Sequence, residues 1–493
     1  MAASLPQSLY RSDQVKRGER KIASDLGVEM YDLMERAGLA AFGLLRLRWP
    51  EAKKILITCG SGNNGGDGYV IGRLALEAGL HVVLWSARDP ETLMGDVRTA
   101  KQAFVAQGGA ILSAELPSGP FDVIVDALFG TGLSRSVKGK YRDAIDYINA
   151  SLLPVLAIDI PSGLHADTGC VFGRAIKADC TITFVALKQG LFTGKAADHC
   201  GHIVFDGLGI YEAFEAHIPT SVTLLGAQRL KNLQPVRQIS VHKGQCGRLL
   251  CIGGQQGMGG AIILCGQAAL RTGAGLVALL TDKTHINAVL ARQPELMIRQ
   301  WRKEDGVQAL SSVIHWADVL ALGPGLGQSA WARTLFDAAL ASQLPMVVDA
   351  DALNLLSQFP HHYDHWVLTP HPGEAARLLD LTVEEIERDR FSAVKEIHNR
   401  YGGVVVLKGA GTIVYDGTHC SVIHAGNPGM ASGGMGDVLT GVIASCLAQT
   451  QSAKEAARFG TLLHSYAADI AAQNGMRGLL ASDLLPLLGN NIE

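Results

Sequence analysis

KILITCG (54–60) runs without a break into GSGNNGGDG (60–68) and on into YVIGRLALEAG (69–79). An apolar run, a glycine-rich turn and a run at helical spacing make one strand–turn–helix unit. That geometry aims backbone N–H groups at an anion. The stretch lacks the GxxxxGK[ST] of a phosphate loop. Asn63, Asn64 and Asp67 make the turn polar, and their side-chain oxygens suit a hard cation as well as a ligand hydroxyl. Read alone, the stretch is equally a tight turn with Asn and Asp as turn-formers.

The same kind of unit recurs outward from it. HVVLWSA (81–87), FDVIVDALFG (121–130), LPVLAIDIPSG (153–163), TITFVAL (181–187) and HIVFDGL (202–208) are short β-rich runs with helical stretches between them. Near-continuous apolar strands separated by helices predict a parallel sheet covered on both faces. The first half is therefore expected to be a Rossmann-like, doubly wound α/β domain. Upstream, the spacing from Ser12 to about Ala37 predicts a single helix ending at Gly38. A second series follows the polar stretch SVTLLGAQRLKNLQPVRQISVHKGQ: GRLLCIGG (247–254), GLVALLT (275–281), ADVLALGPG (317–325), PMVVDAD (345–351) and GVVVLKGAG (403–411). The C-terminal end is mostly helical in pattern. A chain of 493 residues exceeds one hydrophobic core, and the boundary is placed near 222, giving domains 1–222 and 223–493.

Composition narrows the function classes. With a formal charge of −3 and no basic run, nucleic-acid binding has no electrostatic support. No stretch of about 18 uninterrupted apolar residues occurs, so no membrane span is expected. The start, MAASLPQSLYRSDQVKRGERK, lacks the apolar core of a signal peptide. Nine cysteines show no CxxC pair and no zinc-like spacing with histidine. They read as reduced, buried thiols of a cytoplasmic protein.

Two more strand ends converge on the first turn. FDVIVDALFGTGLSR puts Asp126 at the carboxyl end of an apolar strand, and VLAIDIPSG puts Asp159 and Ser162 at the end of the next. Ligands of open parallel sheets bind outside those ends, and two acids at equivalent places favour a site over satisfied structural groups. Here the sequence resembles the NAD(P)H-hydrate epimerase family, through NNGGDG, VDALFGTG and DIPSG in that order across most of residues 10 to 215. The resemblance implies substrate contacts at Asn63, Asn64, Gly65, Gly66 and Asp67, at Gly130, Thr131, Gly132, Leu133, Ser134, Arg135 and Ser136, and at Asp159. It also implies a potassium ion held by Asn64, Asp126 and Ser162. The family interconverts the R and S forms of a hydroxylated tetrahydronicotinamide. The hydroxyl-bearing carbon must pass through a planar or ring-opened state, so a proton acceptor is required, and Asp159 is the candidate. Lys188, in FVALKQG, reads equally as catalytic or as a solvated lysine.

The sharpest motif of the second half is GNPGMASGGMGDVLTGVI (426–443). A glycine-rich loop leads through Gly436 into Asp437 and an apolar helix. The helix N-terminus stabilises charge developing on a transferred phosphoryl group. Asp437 stands where it takes a hydroxyl proton, although an Asp there is also a helix cap. VVVLKGAGTIVYDG (404–417) offers Lys408 and a glycine-rich hairpin, and GGQQGMGGA (253–261), GPGLG (323–327) and TPHPGE (369–374) end further strand-like runs. Together these resemble the ADP/ATP-dependent NAD(P)H-hydrate dehydratases, with a ribokinase-like fold, over roughly residues 225 to 490. The resemblance implies nucleotide contacts at Lys408, Gly409, Ala410, Gly411, Thr412 and Gly436. Hydrate contacts follow at Ala261, Gly325, His371 and Asp437, with Gly323 as the alternative register to Gly325.

The order of the two halves matches the bifunctional repair family, so the expected partners are hydrated NADH or NADPH and ADP. Magnesium is expected with the ADP, and Asp349 and Asp351 are read either as acids that help place it or as core-facing polar groups. A homo-oligomer is expected. The rival reading is a ribokinase-like small-molecule kinase fused to a Rossmann-like binding domain.

Overall fold

Seven of the apolar runs pair as one all-parallel sheet, in the spatial order Ile111–Leu112, His81–Ser86, Lys54–Cys59, Val123–Ala127, Val155–Ile158, Cys180–Phe184 and His202–Asp206. The strand order reverses between Lys54–Cys59 and Val123–Ala127, where Thr58 stands opposite Asp126. A reversal of this kind opens a crevice at the carboxyl ends of the two strands. Alternate residues serve opposite faces: Ile55, Ile57, Val123 and Val125 join one apolar cluster, while Leu56, Trp85 and Ile124 join the other. Both faces are buried, which is why these strands read as continuous apolar runs. The computed structural model describes residues 5–489, and the chain divides into two units, Met1–Thr223 and Leu224–Glu493.

Two local expectations need correction. The single helix from Ser12 to Ala37 is two, Ser12–Leu26 and Met30–Arg48. Gly27 ends the first in the left-handed conformation (φ +65°), where a side chain is disfavoured. Gly38 does not stop the second, because it lies against Val70, which leaves no room for a side chain. In addition, NNGGDG is not a turn before a helix. It forms the start of the helix Asn63–Glu77, with Gly62 as its N-cap.

In the second unit Met297–Arg299, Leu276–Leu280, Arg248–Ile252, Val319–Leu322, Met346–Val348, Trp366–Leu368 and Val404–Leu407 run parallel, and Ile413–Tyr415 and Cys420–His424 follow them antiparallel. The helix Met435–Thr450 packs on the helix Gly259–Thr272 at Gly441, whose missing side chain admits the carbonyl of Cys265. All nine cysteines are free thiols, buried except for the half-buried Cys170. Among the described residues no helix is long and apolar enough to cross a membrane.

Candidate active sites

At the crevice of the first sheet, Asp126 is fully buried and anchors the neighbouring turn. Ser162 donates to it twice, from Oγ at 2.6 Å and from its backbone N–H at 2.8 Å, and the Leu128 N–H adds a third bond at 3.3 Å. The Phe129 N–H in turn donates to Ser162 Oγ at 2.8 Å. Burial pushes the Asp126 carboxyl up to about 6, against the pull of those donors. Asn64 is nearly buried, and both its side-chain oxygen and its nitrogen lack a hydrogen-bond partner. An amide left so costs about 1–3 kcal/mol. The Asp126 carboxylate, the Ser162 hydroxyl and the orphaned Asn64 oxygen are oxygen donors of the kind that suits a hard monovalent cation.

A cleft of about 670 Å³ opens beside this cluster. Asn63, Asn64, Asp67, Gly130, Thr131, Gly132, Leu133 and Asp159 line it, whereas Ser134, Arg135 and Ser136 continue the loop beyond the lining. Gly65 and Gly66 are also outside it. Gly65 lets the helix start press on the Gly60 carbonyl, and Gly66 packs on Met34. Asp159 sits in the left-handed region (φ +66°), a conformation costing about 1–3 kcal/mol that is kept where function demands it. Its neighbour Lys188 is 1% exposed, so the solvated-lysine reading is overturned. Burial, then the negative charges of Asp159 and Glu19, hold the Asp67 carboxyl well above its usual range.

The cleft also contains residues that the sequence did not single out. Lys16, Glu19, Arg20, Met30 and Met34 reach it from the two N-terminal helices. The reason is a short pairing: Leu9 and Tyr10 stand opposite Leu187 and Lys188, which delivers the helix Ser12–Leu26 to the cleft. No spacing motif marks a residue so remote from the strand ends. Burial pushes Glu19 up, with Lys188 opposing and Asp159 adding to the shift.

In the second unit Asp437 is in the first turn of the helix Met435–Thr450, but Gly434 is the N-cap and no side chain caps it. The capping alternative is therefore overturned. Burial, followed by the nearby charge of Asp349, pushes the Asp437 carboxyl up to about 7, with Lys408 opposing. A side chain on Gly436 would stand 3.4 Å from Lys408 Nζ and 3.5 Å from Asp349 Oδ2, so its backbone lies against that pair. Lys408 Nζ donates to Asp349 at 2.6 Å, and Thr440 Oγ1 donates to the other oxygen at 2.7 Å. Burial pulls the Lys408 ammonium down, and Asp349 and Glu374 more than reverse it. Asp351 accepts from the Gly327 N–H at 2.8 Å. Asp349 is committed to Lys408 and Thr440, and among the described residues no three acids, histidines or cysteines group as metal ligands.

Gly325 (φ +59°) faces Ala261, whose Cβ would be 3.3 Å from a side chain there, while Gly323 is pressed onto the Asp349 carbonyl. His371 caps the helix Pro372–Leu379, accepting from the Gly373 N–H at 2.9 Å through Nδ1. That bond leaves the proton on Nε2. Arg390, buried and 17 residues before Leu407, donates to the Leu407 and Lys408 carbonyls at 3.1 Å each and fixes the start of the loop through Gly409, Ala410, Gly411 and Thr412. Thr412 Oγ1 closes that loop onto the Gly409 carbonyl at 2.9 Å. Asp469 accepts from the Gly426 N–H and from Asn427 Nδ2, at 2.8 and 2.9 Å, and so anchors the glycine-rich loop. Neither Arg390 nor Asp469 lies in a recognisable motif.

Comparison with known proteins agrees with a chain of two different halves. Residues 30–190 match the family model of the YjeF-related protein N-terminus, and residues 249–489 match that of the NAD(P)H-hydrate dehydratase. The chain is 47% identical over 487 residues to a bifunctional NAD(P)H-hydrate repair enzyme of Vibrio cholerae, covering 98% of each. It is 45% identical over 489 residues to the Escherichia coli counterpart, covering 98% of this chain and 94% of that one. Among solved structures, a ribokinase-like superfamily protein from Enterococcus faecalis superposes with a TM-score of 0.52 at 30% identity, over 56% of this chain and 96% of its own.

Proposed function

This chain belongs to the family of bifunctional NAD(P)H-hydrate repair enzymes, and from that premise we propose that each unit performs one of two successive repair steps in a reducing compartment. The first unit epimerises the R and S forms of hydrated NADH or NADPH. The second dehydrates the S form at the expense of ADP, giving AMP, phosphate and the reduced cofactor.

In the second unit the Asp437 carboxylate accepts the proton of the hydrate's hydroxyl as that oxygen takes the terminal phosphoryl group of ADP. Lys408, oriented by Asp349, and the backbone at Gly436 bind the nucleotide's negative charge. Loss of phosphate with the adjacent ring proton, pushed by the ring nitrogen, then restores the dihydronicotinamide. Magnesium in this reading arrives on the ADP phosphates, since Asp349 is already committed. In the first unit Asp159 takes the hydroxyl proton, and Asn64, Asp126 and Ser162 would hold potassium. That ion supplies a fixed positive charge beside the substrate.

The observation that carries the reading is the Asp437 carboxyl: half-buried, pushed up to about 7 and one residue beyond a glycine laid against Lys408. A base poised near neutrality at a helix N-terminus suits proton transfer coupled to phosphoryl transfer. Incubating the protein with ADP and hydrated NADPH and following the dihydronicotinamide absorbance tests it. Rising absorbance that depends on ADP is expected, and phosphorylation of a sugar or vitamin without any such rise would establish the kinase instead.

A further inference from the structure

Lys188 carries three N–H donors, and all three are used inside the protein. They go to Asp159 Oδ1, to Thr183 Oγ1 at 3.1 Å and to the Phe184 carbonyl at 2.8 Å. None remains for a substrate. The reach back to Phe184 is possible because Val185 is left-handed (φ +64°), turning the chain directly after the strand Cys180–Phe184. Pairing of Tyr10 with Lys188 then holds the lysine's backbone from the other side.

Asp159 is correspondingly asymmetric. Its Oδ1 accepts from Lys188, from Thr183 Oγ1 at 3.2 Å and from the Phe184 N–H at 3.5 Å. Among the described residues no donor reaches Oδ2. That oxygen lies toward the cleft, where a side chain on Gly130 would meet it at 3.4 Å. Two other acids face the same space, Glu19 from the helix Ser12–Leu26 and Asp67 from the helix Asn63–Glu77.

We infer that Lys188 is a positioning residue of the epimerisation site: by occupying Oδ1 of Asp159 it fixes that carboxylate's rotamer and leaves Oδ2 as the single basic atom presented to the substrate. The inference rests on the reading of Asp159 as the base. Lys188 lines the cleft with its three N–H donors already engaged, so its loss is expected to act on turnover through Asp159 and not on binding. Its strained setting, with Asp159 and Val185 both left-handed, is the local cost of aligning the pair.

The test compares Lys188→Met, Asp159→Asn and the double variant in the full-length protein, measuring conversion of purified R-form hydrated NADH to the S form by chromatography. Lys188→Met is expected to lower kcat about 100-fold with KM within about threefold, the pattern of a lost transition-state contribution. The double variant should be no slower than Asp159→Asn, because a residue that acts through another adds nothing once that other is gone. Ethylammonium should partly restore Lys188→Ala, whereas neutral ethanol should not. If Asp159→Asn is inactive and Lys188→Met turns over as wild type, the positioning role is wrong and the base assignment stands. A further loss in the double variant, or a rise in KM matching the fall in kcat, overturns it by showing direct substrate contact. Full activity of Asp159→Asn instead removes the base assignment itself. Should Lys188→Met fail to fold, the double variant, which deletes both buried charges, still decides the question against Asp159→Asn.

Discussion

A carboxyl group does different work in the two sites according to what surrounds it. Among the described residues Asp437 has no hydrogen-bond donor, and it is pushed up to about 7 by burial and by Asp349. Acting as a base it must be ionised, so kcat/KM for ADP-dependent dehydration should fall about tenfold per pH unit below about 7. A flat profile down to pH 5.5 would remove Asp437 from the chemistry. Asp437→Asn should lower the dehydration rate by about 100- to 10,000-fold while leaving R-to-S conversion intact. Stability should follow a definite sign. A carboxyl raised in the folded state stabilises the fold below the ordinary carboxylate range, and that contribution disappears as pH rises through about 7. The Asn variant should therefore melt no lower than wild type at pH 8, measured by calorimetry without nucleotide. Asp126 is the opposite case, accepting from three donors. If potassium sits there, exchanging it for a bulky organic cation should slow epimerisation by wild type and leave Asp126→Asn, already slow, unchanged. Equal wild-type rates in both salts would refute the assignment.

At the scale of elements, the glycines of the first turn divide by what surrounds them. A methyl group at Gly65 would lie 2.1 Å from the Gly60 carbonyl oxygen, whereas one at Gly62 meets nothing within 4 Å. Gly65→Ala is thus expected to cost about 1–3 kcal/mol through backbone displacement. Gly62→Ala, at an N-cap, should cost about 1 kcal/mol or less. Denaturant unfolding of the two variants checks the order, and equal losses would mean that the helix start is more plastic than its packing implies. These elements also show what the sequence discloses. Continuous apolar strands were legible because both faces are buried, as Leu56 and Ile57 illustrate on opposite sides. The break at Gly27 was not, since helical spacing persists across it and a glycine within a helix reads the same as one that ends it. Asp126, Asp159 and Asp437 were legible as site candidates because each follows an apolar run or a glycine loop. Glu19 and Arg390 were not: each acts through a tertiary approach, Glu19 carried by the Tyr10–Lys188 pairing and Arg390 by its reach to the Leu407 carbonyl.

The molecule as a whole carries two sheets, each with its own reversal or loop cluster and its own acids. No residue assigned to one site is assigned to the other, and Thr223 and Leu224 mark the division of the chain. Separate sites predict complementation between proteins defective in different halves. Asp159→Asn should dehydrate the S form with ADP but stall on the R form. Asp437→Asn should convert R to S and stop there. Mixed in solution, the two should clear a mixture of both epimers to NADPH, because the S form released by one is the substrate of the other. Clearance should follow first-order decay of the R form at a rate set by the concentration of Asp437→Asn, which chromatography of both epimers reads directly alongside absorbance. If the mixture clears no more R form than Asp159→Asn alone, the intermediate does not pass through solution and the two activities require one intact chain. Such a result would place functional coupling between the halves. Full clearance would show that fusion supplies co-expression and proximity while each unit keeps a complete site of its own.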